Sequence, residues 1–117
     1  MYTHKIIDNL SKMNFEEVLN RGRFNKLDDS ELKALQAVGF YAFEEAKQKA
    51  AQIQSITNAV MQAINNPKDG IYDASIDGYN VMCWLNGEAE TILTLLEMSE
   101  EAEGVNHKQA GYDKTDT

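Results

Sequence analysis

The sequence is poor in the residues that build disulfide-stapled, turn-rich or metal-bound folds. Its 117 residues include one cysteine, one proline, seven glycines and two histidines. The single cysteine, Cys83, excludes an intrachain disulfide and offers no cysteine pair to a metal ion. So little proline and glycine argues against an all-β architecture with many turns. We therefore expect a helical protein that binds no metal.

Long apolar runs are also missing. No stretch reaches the roughly 20 apolar residues that a membrane-spanning helix requires. Residues 1–6 lack the apolar core of a secretory signal. We expect a cytoplasmic protein of one domain, with no membrane association.

Basic residues are scarce in the second half of the chain. The formal net charge is −8, and residues 67–117 hold three basic against eleven acidic side chains. Contacts to phosphates require lysine and arginine, so this half disfavours direct binding of nucleic acid. The compact basic segment at residues 21–26 is too small to form a binding stripe, and we expect it to pair with acids of the same chain.

The common catalytic motifs are absent. The sequence contains no G-x-S-x-G nucleophile elbow, no G-x-x-x-x-G-K phosphate loop and no Glu-x-x-His pair of the di-iron bundles. We expect a protein that is not an enzyme and uses no cofactor.

One stretch, from Leu27 to Pro67, organises the chain as a central helix over about 28–66. Asp28 and Glu31 form a capping box at its start, with Asp28 as the N-cap. Pro67 stops it, because the residue before a proline is driven out of the α region. Between these limits apolar and small residues recur at steps of three and four. They are Leu32, Leu35, Gly39, Ala42, Phe43, Ala46, Ala50, Ile53, Ile56, Val60 and Ile64.

The middle of this seam is unusually small, because it consists of glycine and alanine from Gly39 to Ala50. Small residues let a second backbone approach closely, so we predict tight packing against another helix of the same chain. The alternative is a groove that receives a helix from another protein.

Shorter helices are predicted on both sides of the central one. Residues 3–13 form an amphipathic helix that Thr3 could cap, and Asn14 caps a second helix that Gly22 ends. A C-terminal helix over about 75–103 packs antiparallel to the central helix, and Gly104 ends it. The predicted fold is thus a small all-α helical bundle over residues 1–104, followed by a flexible polar tail at 105–117.

The C-terminal helix carries more apolar surface than one helix contact needs. Part of this surface should cover the N-terminal helices, and its second stripe is a candidate homodimer contact, because tryptophan and methionine are favoured at interface cores. Its members are Val81, Trp84, Leu95 and Met98. For Trp84 itself we predict burial within the chain, and the dimer contact is the alternative. Cys83, beside Trp84, is predicted to be a buried structural thiol.

Acidic residues crowd the C-terminal end of the same helix. The helix dipole disfavours negative charge there by up to about 1 kcal/mol each at low salt, so a surface kept acidic for a basic partner would explain the cluster. The predicted partner-binding residues are Glu97, Glu100, Glu101, Glu103, Asp73 and Asp77. The expected partner is a protein, in particular a basic protein that handles nucleic acid.

Three functions follow from these patterns. The first is a non-catalytic, acidic interaction or regulatory protein that forms a dimer. The second comes from a resemblance in size and charge to small acidic helical proteins of phages and mobile elements, including anti-CRISPR and anti-restriction proteins. That resemblance implies an inhibitor that blocks a nucleic-acid-binding surface of its target.

The third function rests on the pair Glu97 and Glu100. This E-x-x-E spacing resembles one half of the motif of all-α nucleotide pyrophosphohydrolases of the MazG and dimeric dUTPase type, which would imply Mg²⁺-dependent hydrolysis. The central helix offers Glu44 and Glu45 but no acid three or four positions on, so the second half of the motif is missing. Asp69, Asp73 and Asp77, spaced by four, are an alternative magnesium set.

Overall fold

A computed structural model describes residues 2–65 and 74–115, and the side chains of residues 2–65 and 78–112. These two stretches contain four α-helices and no strand. The helices are α1 (Thr3–Leu10), α2 (Phe15–Gly22), α3 (Asp29–Asn65) and α4 (Ala74–Thr115). The predicted all-α bundle is confirmed, with α3 packed against α4 and two short helices before them.

Two of the predicted helix starts are confirmed. The side-chain oxygen of Asn14 accepts a hydrogen bond from the N–H of Glu17 at 3.2 Å, and that of Asp28 accepts one from the N–H of Glu31 at 2.8 Å. The predicted cap of the first helix is wrong. Its N-cap residue is Tyr2, and the Thr3 hydroxyl donates instead to Glu45 Oε1 at 3.3 Å.

The predicted helix end at Gly104 is also wrong, because α4 continues to Thr115. Residues 105–115, expected in a flexible polar tail, are helical, and Val105 and Gln109 are buried. A glycine inside a helix costs only about 1 kcal/mol relative to alanine. The contacts that Val105 and Gln109 make beyond it outweigh that cost.

The apolar core joins α2, the start of α3 and the C-terminal half of α4. Its buried members are Val18, Leu19, Leu27, Leu35, Ala102 and Val105. Gly22 lies so close to α4 that a Cβ atom there would stand 2.6 Å from Val105 Cγ1. Gln109 closes this core from α4, since its side-chain N–H groups donate to the carbonyls of Gly22 at 2.7 Å and Asn25 at 2.9 Å.

The first helix packs on α3 through a buried carboxylate. Glu45 is 2% exposed and accepts the N–H of Tyr2 at 3.0 Å. The Tyr2 ring stacks on Tyr41 with a centroid distance of 5.5 Å, and Ile6 is buried. Glu45 thereby satisfies a free N–H at the start of α1, which no side chain of α1 itself caps.

The two long helices form an antiparallel hairpin. Ala102 lies beside Gly39, because a Cβ added at Gly39 would be 3.2 Å from the Cβ of Ala102. The Ser99 hydroxyl donates a hydrogen bond to the Gly39 carbonyl at 3.0 Å. Further along, Lys49 Nζ lies 3.3 Å from Glu88 Oε2. Gly39, Ala42 and Ala46 are buried, as the small seam predicted, whereas Ala50 is exposed.

The hairpin projects well beyond the short helices. The chain measures 70 × 23 × 19 Å, and its radius of gyration is 19.8 Å. A compact domain of about 100 residues would have a radius of gyration of about 13 Å. We call the part that carries α1 and α2 the proximal half (29–48 and 90–115), and the remainder the distal half (49–65 and 74–89). Among the described residues no helix is long and apolar enough to cross a membrane.

Candidate interaction surface

The short helices cover one side of the proximal half only. They reach α3 through Tyr41 and Glu45 and α4 through Val105. Phe43 lies two residues from both Tyr41 and Glu45, and Glu103 lies two residues before Val105. Two residues turn a helix by about 200°, so Phe43 and Glu103 lie on the opposite side of the hairpin.

A groove of about 500 Å³ runs along that opposite side. Gly39 and Ser99 line it where α3 and α4 touch, and aromatic and aliphatic side chains flank it. Its lining comprises Gly39, Phe40, Phe43, Leu96, Ser99, Glu100 and Glu103. Phe40 and Phe43 remain 55% and 45% exposed. The groove therefore presents an apolar surface to solvent with carboxylates at one end.

The apolar surface continues into the distal half by heptad spacing. Residues seven apart lie on the same side of helices that coil around each other, because such helices average 3.5 residues per turn in the coil. Met61 and Ile64 follow Phe40 and Phe43 by three heptads. On α4, Leu93 precedes Glu100 by one heptad, and Tyr79 and Met82 precede Leu93 and Leu96 by two.

We call this side of the hairpin the outer face. It comprises Phe40, Phe43, Met61 and Ile64 on α3 and Tyr79, Met82, Leu93 and Leu96 on α4. Apart from half-buried Leu96, these side chains are between 45% and 76% exposed. Exposed apolar patches of several hundred Å² mark interaction sites on soluble proteins. None of the side chains described, in residues 2–65 and 78–112, covers the outer face.

Carboxylates dominate the electrostatics at the proximal end of the outer face. Glu100 and Glu103 line the groove, and Glu97 and Glu101 lie beside them on α4; all four are exposed. Arg23 and Lys108 line a smaller hollow of about 200 Å³ with Glu100 and Glu101, so cations balance part of this charge. Within the outer face itself, the Lys47 ammonium lies 5.1 Å from the centre of the Phe43 ring and 2.9 Å from Glu44.

Arg21, the first residue of the basic segment and part of α2, pairs with acids of the same chain, as expected. Arg21 donates to both carboxylate oxygens of Glu31, with Nη1 2.8 Å from Oε1. This hydrogen bond, with the charge of Arg21, lowers the pKa of the Glu31 carboxyl, although partial burial opposes the shift. The same partner raises the pKa of Arg21.

The predicted dimer contacts fall in different places. Val81 and Leu95 are half-buried and lie one heptad from Glu88 and Ala102, so they face α3 inside the hairpin. Met98 is half-buried, one heptad before Val105, on the side of α2. Trp84 is 36% exposed on that same side. The Cys83 thiol is exposed, so its predicted burial is wrong.

The predicted acidic residues divide in a similar way. Glu97, Glu100, Glu101 and Glu103 lie together on α4, whereas Asp69, Asp73 and the Asp77 side chain lie outside the described residues. Among the described side chains no group of three or more His, Cys, Asp or Glu residues is placed to hold a metal ion. Glu45, which the sequence offered only as an unpaired acid, caps α1.

Comparison of the chain with protein-family models, with curated proteins and with solved structures finds no match.

Proposed function

We propose that this chain is a non-catalytic, acidic interaction protein that associates with itself through the outer face. The observation that carries the proposal is the exposure of large apolar side chains along one side of the hairpin, including Met82 at 65% and Leu93 at 60%. Burying such side chains is favourable by about 1.5–3 kcal/mol each. An interface over this face would bury it, whereas α1 and α2 cover only the opposite side of the hairpin.

Sedimentation equilibrium tests the proposal across a wide concentration range. We expect the wild-type protein to be dimeric and the Leu93→Glu variant to be monomeric, because a carboxylate cannot enter the apolar interface unpaired. Thr94→Glu is the matched control, since Thr94 is exposed on the adjacent position of α4, off the outer face. It should dimerise like the wild type, and dissociation of both variants alike would count against the outer face.

A second candidate function is inhibition of a basic, nucleic-acid-handling protein. The exposed cluster of Glu97, Glu100, Glu101 and Glu103 favours it, because such a surface complements the cationic groove in which a protein binds phosphates. We expect capture of a nucleic-acid-binding protein that weakens with salt. Glu100→Lys with Glu101→Lys should abolish it, whereas Glu16→Lys with Glu90→Lys, the same charge change at exposed positions elsewhere, should not.

A further inference from the structure

We infer that the occupant of the outer face is a second copy of this chain in an antiparallel two-fold arrangement. In it, Phe40 and Phe43 of one copy pack against Ile64 and Met61 of the other. This inference rests on the proposed self-association and adds the pairing of residues, which self-association alone leaves open.

The outer face holds two apolar clusters separated by a small and polar middle. The proximal cluster is Phe40, Phe43, Leu93 and Leu96, and the distal cluster is Met61, Ile64, Tyr79 and Met82. On α3 the two clusters are about 31 Å apart, from 21 residues at about 1.5 Å each. The heptad positions between them are Lys47, Ala50, Gln54, Thr57, Asn86 and Ala89, all exposed. Two similar clusters on one face suit an antiparallel two-fold interface, because the axis places each cluster of one copy on the other cluster of its partner.

The positions of the clusters on the two helices agree on one axis. On α3 the apolar residues span 40 to 64, so their midpoint is at residue 52. On α4 they span 79 to 96, which places the midpoint between residues 87 and 88. Across the hairpin, Lys49 meets Glu88 and Gly39 meets Ala102, so facing residues have numbers that add up to between 137 and 141. Residues 52 and 88 satisfy this relation, and the two helices therefore place the two-fold axis at the same level.

Charge decides between the antiparallel arrangement and a parallel one. A parallel dimer would bring Glu100 and Glu103 of both copies to the same end, because both residues line the groove. The antiparallel dimer separates the two Glu100 positions by about 38 Å along the hairpin. That distance is several times the Debye length of about 8 Å at physiological salt, so the repulsion is screened.

The size of the face is adequate for a stable dimer. From residue 40 to residue 64 it is about 36 Å long, and two helices of about 10 Å diameter make it about 20 Å wide. The product, about 700 Å² for each copy, is close to the roughly 800 Å² per partner of a stable protein interface.

Disulfide cross-linking tests the pairing directly. In a Cys83→Ser background, which removes the exposed native thiol, full-length Phe40→Cys and Ile64→Cys proteins are mixed and oxidised, and the products are identified by mass. We expect the heterodimer to be the main cross-linked product. Each protein oxidised alone should cross-link poorly, since identical positions lie about 36 Å apart in the antiparallel dimer.

Two further pairs of cysteine variants control for the case in which one substitution disrupts the interface locally. Phe43→Cys with Met61→Cys and Leu93→Cys with Met82→Cys should also give heterodimers. Cross-linking of Phe40→Cys with Leu96→Cys instead would overturn the antiparallel pairing, because those positions meet only in the parallel dimer. A dimer in sedimentation without any of the three expected cross-links would refute this inference and leave the proposed function intact. A monomer in sedimentation would refute both.

Discussion

Gln109 and Leu27 are joined directly across 82 residues of chain. The side-chain oxygen of Gln109 accepts the backbone N–H of Leu27 at 2.9 Å, while its nitrogen donates to Gly22 and Asn25. One side chain of α4 thus satisfies three backbone groups of the segment between α2 and α3. That segment is held by the last turns of α4, and α2 is positioned with it.

Replacing Gln109 by alanine should therefore be costly. The substitution leaves buried N–H and carbonyl groups without partners, and each such group costs about 1–3 kcal/mol. We expect Gln109→Ala to lower the free energy of unfolding by about 2–4 kcal/mol in urea titration. Lys108→Ala, at the exposed neighbouring position, should change it by less than about 0.5 kcal/mol. Equal stability of the two variants would show that water replaces the three hydrogen bonds.

Glycine substitutions at two positions should have opposite effects. A Cβ at Gly22 would lie 2.6 Å from Val105 and 2.9 Å from Leu27, so Gly22→Ala should destabilise the fold by about 1–3 kcal/mol through overpacking. At Gly104 a Cβ meets nothing within 4 Å. Gly104→Ala should stabilise the protein by about 0.5–1 kcal/mol, because alanine is the better helix former. The melting temperatures of the two variants test this opposition, which an equal shift in both would contradict.

The Arg21–Glu31 pair predicts a specific dependence of stability on pH. The pKa of Glu31 is lowered in the folded state, so the unfolded state binds the proton first as the pH falls. The stabilisation is therefore complete above the ordinary glutamate pKa of about 4.3. It disappears as the pH falls through the lower pKa of the folded state.

The variant Glu31→Gln isolates this contribution. It should be less stable than the wild type at neutral pH, and the difference in urea midpoint should shrink progressively below about pH 4.3. Glu16→Gln makes the same change of charge at an exposed position of α2 and should show no such convergence. A constant difference at all pH values would mean that the carboxylate acts through shape and not through charge.

The Lys49–Glu88 ion pair should add little to the free energy of unfolding, compared with an apolar pair at the same two positions. Both side chains are about one-fifth exposed and lie where apolar residues face each other elsewhere in the hairpin. We expect Glu88→Met alone to cost about 1–2 kcal/mol, because it leaves the ammonium partly buried without its partner. Lys49→Met combined with Glu88→Met should restore or exceed the wild-type stability. Urea unfolding of all variants at one protein concentration tests this, since self-association would also change apparent stability.

The features that depend on residues close together in the sequence could be predicted from it. The side chains of Asn14 and Asp28 accept hydrogen bonds from backbone N–H groups three residues further on, so a short sequence pattern is enough to predict both caps. The hairpin was visible too, because the small residues from Gly39 to Ala46 recur on one face of α3 and are buried there.

The end of α4 was not predictable in this way. Gly104 is a common helix terminator, and the sequence on either side of it carries no sign that Val105 would meet Gly22 or that Gln109 would bind Leu27. These contacts join residues more than 80 positions apart. Such tertiary contacts override the intrinsic preference of a single residue.

The interaction surface shows the same limit. The apolar stripe of α4 is broad, and its periodicity alone does not say which edge faces α3. Leu95 lies on the buried edge and Leu93 on the exposed one, two residues apart on the same helix. Only the position of α3, fixed by contacts such as Gly39 to Ala102, distinguishes them.

The hydrogen bonds between Gln109 and the α2–α3 segment also constrain the order in which the protein folds during its synthesis. In a chain still being synthesised α3 can form early, because its hydrogen bonds lie within the helix, whereas α1 and α2, with 8 residues each, are too short to be stable alone. The side chains of Val18 and Leu19 cannot be fully buried until residues 102 to 109 have been synthesised. Burial of the α2 region therefore requires residues 102 to 109, and a premature stop before residue 109 would leave apolar side chains of α2 exposed to chaperones and proteases.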